Sequence, residues 1–359
     1  MPSLWRSTPS TAIRMGGTTF LVDCGEGTQT QLMKTKGVIS PPDVNRIMVT
    51  HMHADHVLGI PGLLLAIDNA NLQTRKGHTK SKTPLEKKRV EVIGPPGLYN
   101  YICSSMTMTH GKLGTLDVVV RELVGGKFSS GASSPLDPQN PWLQPSKTFS
   151  HQNISLEHVP RTPRGTWLIQ DSQRMSPEEL TEYLPTLPTE RERMLFMKSQ
   201  IGHNHGGVRP FTIEAGEVWH VDKVQSFGYV VKEMDRRPRI NPERAAAKGL
   251  EPGFDFNYLK LGLPVKGEDG KEVHLSDVAL DDGFGTGRKV TILGDCWSIS
   301  KGMGKILEDS DVLVHEATLG DSSKKISKRR GHSVPSMAVE LAIKARVKVR
   351  GLGRLAAGG

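Results

Sequence analysis

The sequence predicts an α/β protein, because short apolar runs typical of β-strands are followed in places by helical patterns. The runs are 18–23, 46–50, 90–94, 289–295 and 311–316. Each ends at a polar or glycine-bearing loop that carries candidate functional residues. Helical patterns occupy 63–72 and 336–347, and before the second of these we expect Ser333 as N-cap and Pro335 in the first turn.

Length and composition favour one large domain. The chain has 359 residues, which suits a single α/β domain with insertions, and we expect the stretch 126–215 to be an insertion or loop region. Only 36% of residues are hydrophobic, and the absence of an 18-residue apolar run predicts a protein without membrane spans. Three cysteines and no signal-like N-terminus predict an intracellular, reducing compartment. The formal charge of +9 fits a polyanionic partner or an ordinary basic enzyme.

The stretch 51–56, His-Met-His-Ala-Asp-His, predicts a metal site. Residues two apart at the end of a strand point the same way, so His51 and His53 can share one ion. A turn after them would let Asp55 and His56 face a second ion. Imidazole and carboxylate are ligands that zinc accepts readily. A lone histidine is more often a surface or core residue, but four potential ligands in six positions favour metal binding.

Other stretches narrow this prediction to a family. They are "PSLWRS" (2–7), "DCGEGTQTQL" (23–32), "HMHADHVLGIPGLL" (51–64), "VIGPPGLYNYI" (92–102), "SFGYVVKE" (226–233), "ILGDC" (292–296), "VLVHEATL" (312–319) and "GHS" (331–333). In this order they resemble the tRNase Z (ribonuclease Z) family of the metallo-β-lactamase superfamily. The resemblance implies a single metallo-β-lactamase-type domain over 1–359, an αβ/βα sandwich with an inserted flexible arm, and two zinc ions.

The resemblance also implies roles for individual residues. Asp295 is similar to the carboxylate that bridges both metals, and Asp55 to the residue that binds the second metal and accepts the proton of the attacking water. His332 matches the group that stabilises or protonates the leaving 3′ oxygen, and Glu316, with His315, matches residues that support the site.

Substrate contacts are implied in two places. Arg6 lies in a loop similar to the family's Pro-Thr-x-x-Arg-Asn loop. The stretch 234–267 resembles the arm that grips the tRNA elbow, where Gly253 stands in the position of the family's Gly-Pro pair and Lys260 is a further candidate.

The pattern departs from the family at three points. The family's opening strand with its Gly-Thr-Gly turn has no counterpart. The expected histidine before "SFGY" is Asp222; we choose His220 as the ligand, with His158 and Asp222 as rivals. No histidine follows His332, so the family's final ligand is missing, which either a truncated product or a true loss would explain.

The leading hypothesis is a zinc-dependent endoribonuclease that removes the 3′ trailer from precursor tRNA by metal-activated attack of water. One alternative is a hydrolase of the same superfamily acting on another ester or phosphodiester. Another is a catalytically impaired relative that binds tRNA. A homodimer is an open alternative for the assembly.

Overall fold

A computed structural model describes residues 7–15, 18–35, 37–77, 87–126, 150–170, 177–201, 211–221, 224–235, 239–280 and 285–351. The predicted α/β character is confirmed.

Fifteen strands run through these residues. In chain order they are β1 (Thr11–Met15), β2 (Thr18–Val22), β3 (Val44–Met48), β4 (Lys88–Gly94), β5 (Leu116–Val124), β6 (Ile154–Pro160), β7 (Thr166–Gln170), β8 (Phe211–Trp219), β9 (Ser226–Glu233), β10 (Val265–Lys266), β11 (Glu272–Val273), β12 (Lys289–Leu293), β13 (Ser298–Ile299), β14 (Val312–Val314) and β15 (Val349–Gly351).

The helices lie between the strands and after them. They are α1 (Thr28–Lys34), α2 (Ala54–Val57), α3 (Ile60–Gly77), α4 (Leu98–Met108), α5 (Pro177–Tyr183), α6 (Glu190–Ile201), α7 (Pro242–Ala246), α8 (Phe254–Lys260), α9 (Leu275–Val278), α10 (Lys301–Leu307), α11 (Ser327–Arg330) and α12 (Pro335–Lys344). Short 3₁₀ helices occupy Pro41–Asp43, Leu184–Thr186 and Asp321–Ile326.

The strands form two large sheets and a small hairpin. The first sheet has the order β1-β2-β3-β4-β5-β6, antiparallel between β1 and β2 and parallel from β2 onwards. The second has the order β13-β8-β9-β12-β14-β15, with β7 paired to β8. In it β12, β14 and β15 are parallel, whereas β13 and β8 are antiparallel. Strands β10 and β11 form an antiparallel pair.

The chain divides into two compact units. The first comprises 1–169, 213–231 and 289–359. Its core includes fully buried side chains of the parallel strands and of α3, among them Leu21, Ile47, Val92 and Leu64. The parallel strands carry continuous apolar runs, as expected for strands covered on both faces. The two sheets meet inside this unit, where the buried hydroxyl of Tyr229 donates to the carbonyl of Val49 at 2.6 Å.

The second unit comprises 170–212 and 232–288. It is mainly helical and has two small apolar clusters, one around Leu180 and Leu261 and one around Ala245 and Leu259. The predicted arm 234–267 belongs to this unit and contains α7 and α8. Its contact with RNA stays a prediction.

The strands and helices expected from the sequence are confirmed, with two differences. Ser333 is not the N-cap of α12: the cap is Val334, and Ser333 is buried, where its hydroxyl donates to the carbonyl of Cys296 at 2.6 Å. The stretch 126–215, expected as an insertion or loop, contains β6, β7 and part of β8. Strand β6 is half polar because much of its side-chain surface is exposed, which weakens its sequence signal.

None of the helices in the described residues combines the length and the apolar character needed to cross a bilayer. The three cysteines, Cys24, Cys103 and Cys296, are buried and free, as expected for a chain without a disulfide framework.

Asp68 on α3 joins that helix to the start of β5, and its removal should destabilise the protein. Its buried carboxylate accepts from the amide and the hydroxyl of Thr115, each at 2.7 Å, and from the amide of Gly114 at 3.2 Å. We expect Asp68→Ala to lower the free energy of unfolding by about 3 kcal/mol, because it leaves buried donors unpaired. Asp68→Asn keeps an acceptor, so its free energy of unfolding, measured by denaturant titration, should fall by clearly less. Equal losses in the two variants would contradict this account.

Candidate metal centre

Candidate side chains of the first unit follow the carboxyl ends of several strands. His51 follows β3, Asp295 follows β12, and Glu316 follows β14, while Asp23 and His220 come directly after β2 and β8. All five are buried or nearly so. Strand ends of this kind hold side chains rigidly while the loops beyond them stay free to vary.

Three imidazoles bring ring nitrogens together. His51 Nε2 lies 2.9 Å from His53 Nδ1, and His220 Nε2 lies 3.3 Å from the same His53 atom. Ligand atoms of these three residues all lie within 4.8 Å of one another. Nitrogens this close must share either a proton or a cation, since two lone pairs in contact repel.

Two further groups of ligand atoms adjoin the first. One contains His51, His56 and Asp295, and the other contains His220, Asp295 and His332. Asp295 Oδ2 lies 3.6 Å from His56 Nε2 and 3.8 Å from His332 Nδ1. Because Asp295 belongs to both groups and His51 and His220 connect them to the first, the three groups form one contiguous centre.

Hydrogen bonds on the outer side fix the rings of this centre. His56 Nδ1 contacts Asp23 Oδ2 at 2.7 Å, and His51 Nδ1 contacts the hydroxyl of Thr50 at 3.0 Å. His220 Nδ1 donates to the carbonyl of Gly331 at 2.7 Å. A carbonyl can only accept, so this bond leaves the lone pair of His220 on Nε2, the nitrogen that faces His53.

Asp23 ties the outer bonds to the backbone. Its carboxylate accepts from the amide of Thr50 at 2.7 Å and from the hydroxyl of the same residue at 2.9 Å and 3.0 Å. Asp23 has φ 61°, in the left-handed region that aspartate enters more readily than most residues. The turn at the end of β2 therefore places one carboxylate between β3 and His56.

Burial and charge set the pKa values in the centre. Burial, reinforced by the neighbouring imidazoles, lowers the pKa of His51 to about 2. Burial likewise lowers the pKa values of His53 and His220. For His56 burial acts in the same direction, but the Asp23 and Asp295 carboxylates outweigh it and raise the pKa to about 10. Burial would raise the pKa of Asp295, but its contact with His56 holds it well below the usual value.

These residues fit a divalent cation. His56 Nε2 is buried and has no hydrogen-bond partner among the described residues, although the Asp295 carboxylate lies beside it. Clustered imidazoles and one shared carboxylate form the nitrogen and oxygen donor set that zinc prefers, and a bound cation would take the place of the proton on His56. The arrangement can therefore bind metal through residues of the predicted set. Asp55 belongs to none of the three groups.

Glu316 organises the side of the centre that carries His332. Its buried carboxylate accepts from the amides of Thr318 and Ser333, each at 2.7 Å, and from that of Cys296 at 3.2 Å. The same carboxylate lies 3.2 Å from His332 Nδ1. Burial acts to lower the pKa of His332, but Glu316 and Asp295 outweigh it and raise the pKa. His315 turns away and bonds the carbonyl of Glu316 at 2.6 Å.

The remaining predicted residues lie elsewhere. Arg6 and Asp222 fall outside the described residues. His158 is 40% exposed, stands 3.9 Å from Glu122 and belongs to none of the three groups. Gly253 and Lys260 lie at the two ends of α8 in the second unit.

The amino-acid sequence is similar to those of known proteins over almost its whole length. Residues 4–128 match the metallo-beta-lactamase superfamily. The human protein named zinc phosphodiesterase ELAC protein 1 is 33% identical over 348 residues, which cover 97% of this chain and 81% of the relative. The protein named ribonuclease Z from Crocosphaera subtropica is 27% identical over 350 residues, 97% of this chain and 80% of the relative. The chain belongs to the ribonuclease Z family.

A solved structure supports the fold of this ribonuclease Z family member. The crystal structure of human tRNase Z, short form (ELAC1), superposes with a TM-score of 0.57 and 24% identity over 99% of this chain and 88% of that one. The predicted metallo-β-lactamase fold is therefore confirmed.

Sequence reasoning missed the residues that orient the ribonuclease Z histidines. Asp23 lies inside the quoted stretch 23–32, but a single aspartate before a glycine-rich turn is typical of an ordinary turn residue. Thr50 precedes the predicted ligand His51, and Gly331 precedes the predicted catalytic residue His332. These neighbouring positions are their only sequence signal, because the backbone carbonyl by which Gly331 acts is present in every residue.

Gly331 must stay a glycine for His220 to keep its place. A Cβ at this position would lie 2.8 Å from His220 Nδ1, and the backbone has φ 75°. We expect Gly331→Ala to weaken zinc binding about 10–100-fold, as the loss of a ligand-orienting contact does. Gly270→Ala is the matched control, because Gly270 has φ 74° but open space around it. Zinc titration of both variants checks this, and equal affinities would contradict it.

Proposed function

We propose that this protein is a zinc-dependent endoribonuclease that removes the 3′ trailer from precursor tRNA. The single observation that carries the proposal is the contiguous centre of three ligand groups with outer nitrogens already held. The names of the relatives support the reaction and substrate: zinc phosphodiesterase, ribonuclease Z and tRNase Z.

Two zinc ions are proposed for the centre. His51, His53 and His220 would hold one, and His56 and Asp295 would contribute to the second. The family resemblance adds Asp55 as a ligand of the second ion and makes Asp295 the shared carboxylate. When bound, divalent cations of this kind lower the pKa of water toward ~7 and neutralise charge on a phosphodiester. The Asp23 and Gly331 contacts keep the ligand nitrogens aimed inward without a cost of reorganisation.

The chain's own side chains would move the protons. Asp55, at the start of α2, is proposed to accept the proton of the attacking water. His332, held through Nδ1 by Glu316, is proposed to protonate the leaving 3′ oxygen. The bond from phosphorus to the water oxygen forms, and the bond from phosphorus to the 3′ oxygen breaks. The products are tRNA with a 3′ hydroxyl and a trailer with a 5′ phosphate.

Further parts of the proposal concern recognition and assembly. The formal charge of +9 suits a polyanionic substrate. Arg6 and the segment 234–267, with Gly253 and Lys260, are proposed to contact the tRNA. A homodimer and a reducing intracellular compartment stay predictions.

Cleavage of precursor tRNA tests the reaction. Protein supplied with zinc should release the trailer, a chelator should stop the reaction, and re-added zinc should restore it. His53→Ala should reduce cleavage more than about 100-fold, because His53 Nδ1 faces both His51 and His220. Its circular dichroism should match that of the parent protein. Intact precursor with the zinc-loaded parent, but turnover of a small phosphodiester, would instead indicate a hydrolase of another substrate.

The choice of His220 over His158 has its own test. We expect His220→Ala to lower the zinc bound per chain, because it removes one of three converging nitrogens. His158→Ala should bind as much zinc as the parent, since His158 is surface-exposed and adjoins Glu122. Elemental analysis after dialysis compares them. Loss of zinc in His158→Ala alone would reverse the assignment.

A further inference from the structure

A strongly basic segment leads into the metal centre. The segment 324–330, here called the basic segment, spans the end of a 3₁₀ helix and all of α11. Its cations are Lys324, Lys325, Lys328, Arg329 and Arg330, and all are exposed. Lys324 pairs with Glu340 at 2.6 Å. Within the described part of the chain, the other four have no carboxylate at ion-pair distance.

Lys328 is held in place by an aromatic ring. Its Nζ lies 5.4 Å from the centroid of the Trp297 ring, a cation–π contact. The backbone that carries this ring is fixed, because the main-chain N–H of Trp297 donates to the carbonyl of Trp219 at 2.7 Å next to β13. An ammonium over a ring face keeps its N–H donors, so Lys328 can still bind an anion.

Trp297 and Lys328 are each close in the chain to a residue of the metal centre. Trp297 is two residues beyond Asp295 in the chain. Lys328 is one helical turn before His332, and the amides of Gly331 and His332 donate to the carbonyl of Ser327 at 2.8 Å and 3.2 Å. The Gly331 carbonyl in turn fixes His220. The basic segment is therefore held at the edge of the metal centre.

Ordinary structural roles do not account for these charges. Cations in a last turn favour the helix dipole, but α11 has four residues and Gly331 already closes its end. A lysine stem lying on an aromatic ring explains Lys328 alone. Unpaired cations beside a site for divalent ions repel one another and the ions. This arrangement is favourable when a polyanion lies between them.

We propose that Lys328, positioned by Trp297 and assisted by Lys325 and Arg329, binds backbone phosphates of the substrate RNA next to the cleaved bond. The proposal rests on the proposed function and names a substrate subsite for it. Phosphate contacts of this type position RNA without reading its sequence. Trp297 is a positioning residue, because it acts through Lys328.

The test measures RNA binding and cleavage for Lys328→Met, which keeps the stem and removes the charge. We expect the Kd and KM for precursor tRNA to rise about three- to tenfold, with a much smaller change in kcat. The slope of log Kd against log salt should fall by about one, as expected for one lost phosphate contact. Lys344→Met is the matched control: Lys344 is also exposed, but lies at the far end of α12. It should leave Kd and slope unchanged.

Variants of the ring separate positioning from folding. Trp297→Phe keeps a ring face and should bind RNA nearly as the parent does. Trp297→Leu removes the ring, so its Kd should rise nearly as much as that of Lys328→Met. The double variant Trp297→Leu, Lys328→Met should be no weaker than Lys328→Met alone. Parallel binding of tRNA without a trailer locates the phosphates: a loss for both RNAs places them in the acceptor stem, and a loss for the precursor alone places them in the trailer.

The outcomes distinguish the two proposals. Equal Kd and salt slope for Lys328→Met and Lys344→Met would overturn the phosphate subsite even if the parent cleaves precursor tRNA. Absence of cleavage by the zinc-loaded parent would overturn the proposed function, while the binding measurements would still report on the subsite.

Discussion

The structure of the site depends on burying several imidazoles so close together that they cannot all be protonated. His51, His53 and His220 place ring nitrogens about a hydrogen-bond length apart, and burial lowers the pKa of each. Such crowding is unfavourable unless something positive and compact takes the place of protons. A divalent cation meets that requirement, because it binds neutral imidazole and gains from low competition with water.

Crowding of this kind persists only if the rings cannot turn away. The outer contacts prevent rotation: Asp23 holds His56, and the Gly331 carbonyl holds His220. Close backbone approach is part of the same constraint. A Cβ on Gly294 would lie 2.6 Å from the side chain of Thr50, the residue that anchors Asp23, so β12 can carry Asp295 to its position only with glycine there. The close backbone approach between the two sheets thus helps to set the positions of the ligands.

Much of the fold and part of the centre could be predicted from the sequence, for physical reasons. The parallel strands are buried on both faces and read as apolar runs, and the ligands of 51–56 are adjacent in the chain, so local geometry alone brings His51 and His53 together. Asp23 and His56 are 33 residues apart, and His220 and Gly331 are 111 apart. Their contacts arise from strand order and from a backbone carbonyl, and residue types alone do not reveal which distant partners meet. The contact between Lys328 and Trp297 also joins residues distant in the chain, so the sequence alone did not predict it.

The balance of charge explains why neutral ligands and a cationic surround belong together. Histidine ligands add no negative charge, and Asp295 is the one carboxylate shared by the ligand groups. Asp23 and Glu316 lie behind the ligands, where hydrogen bonds from Thr50 to Asp23 and from three backbone amides to Glu316 stabilise their charges. Because most of their ligands are uncharged imidazoles, bound divalent cations would keep much of their charge available, and a phosphodiester would be drawn to them. A carboxylate-rich centre would bind cations more tightly but repel that anion, so the choice of imidazole favours the substrate over metal affinity.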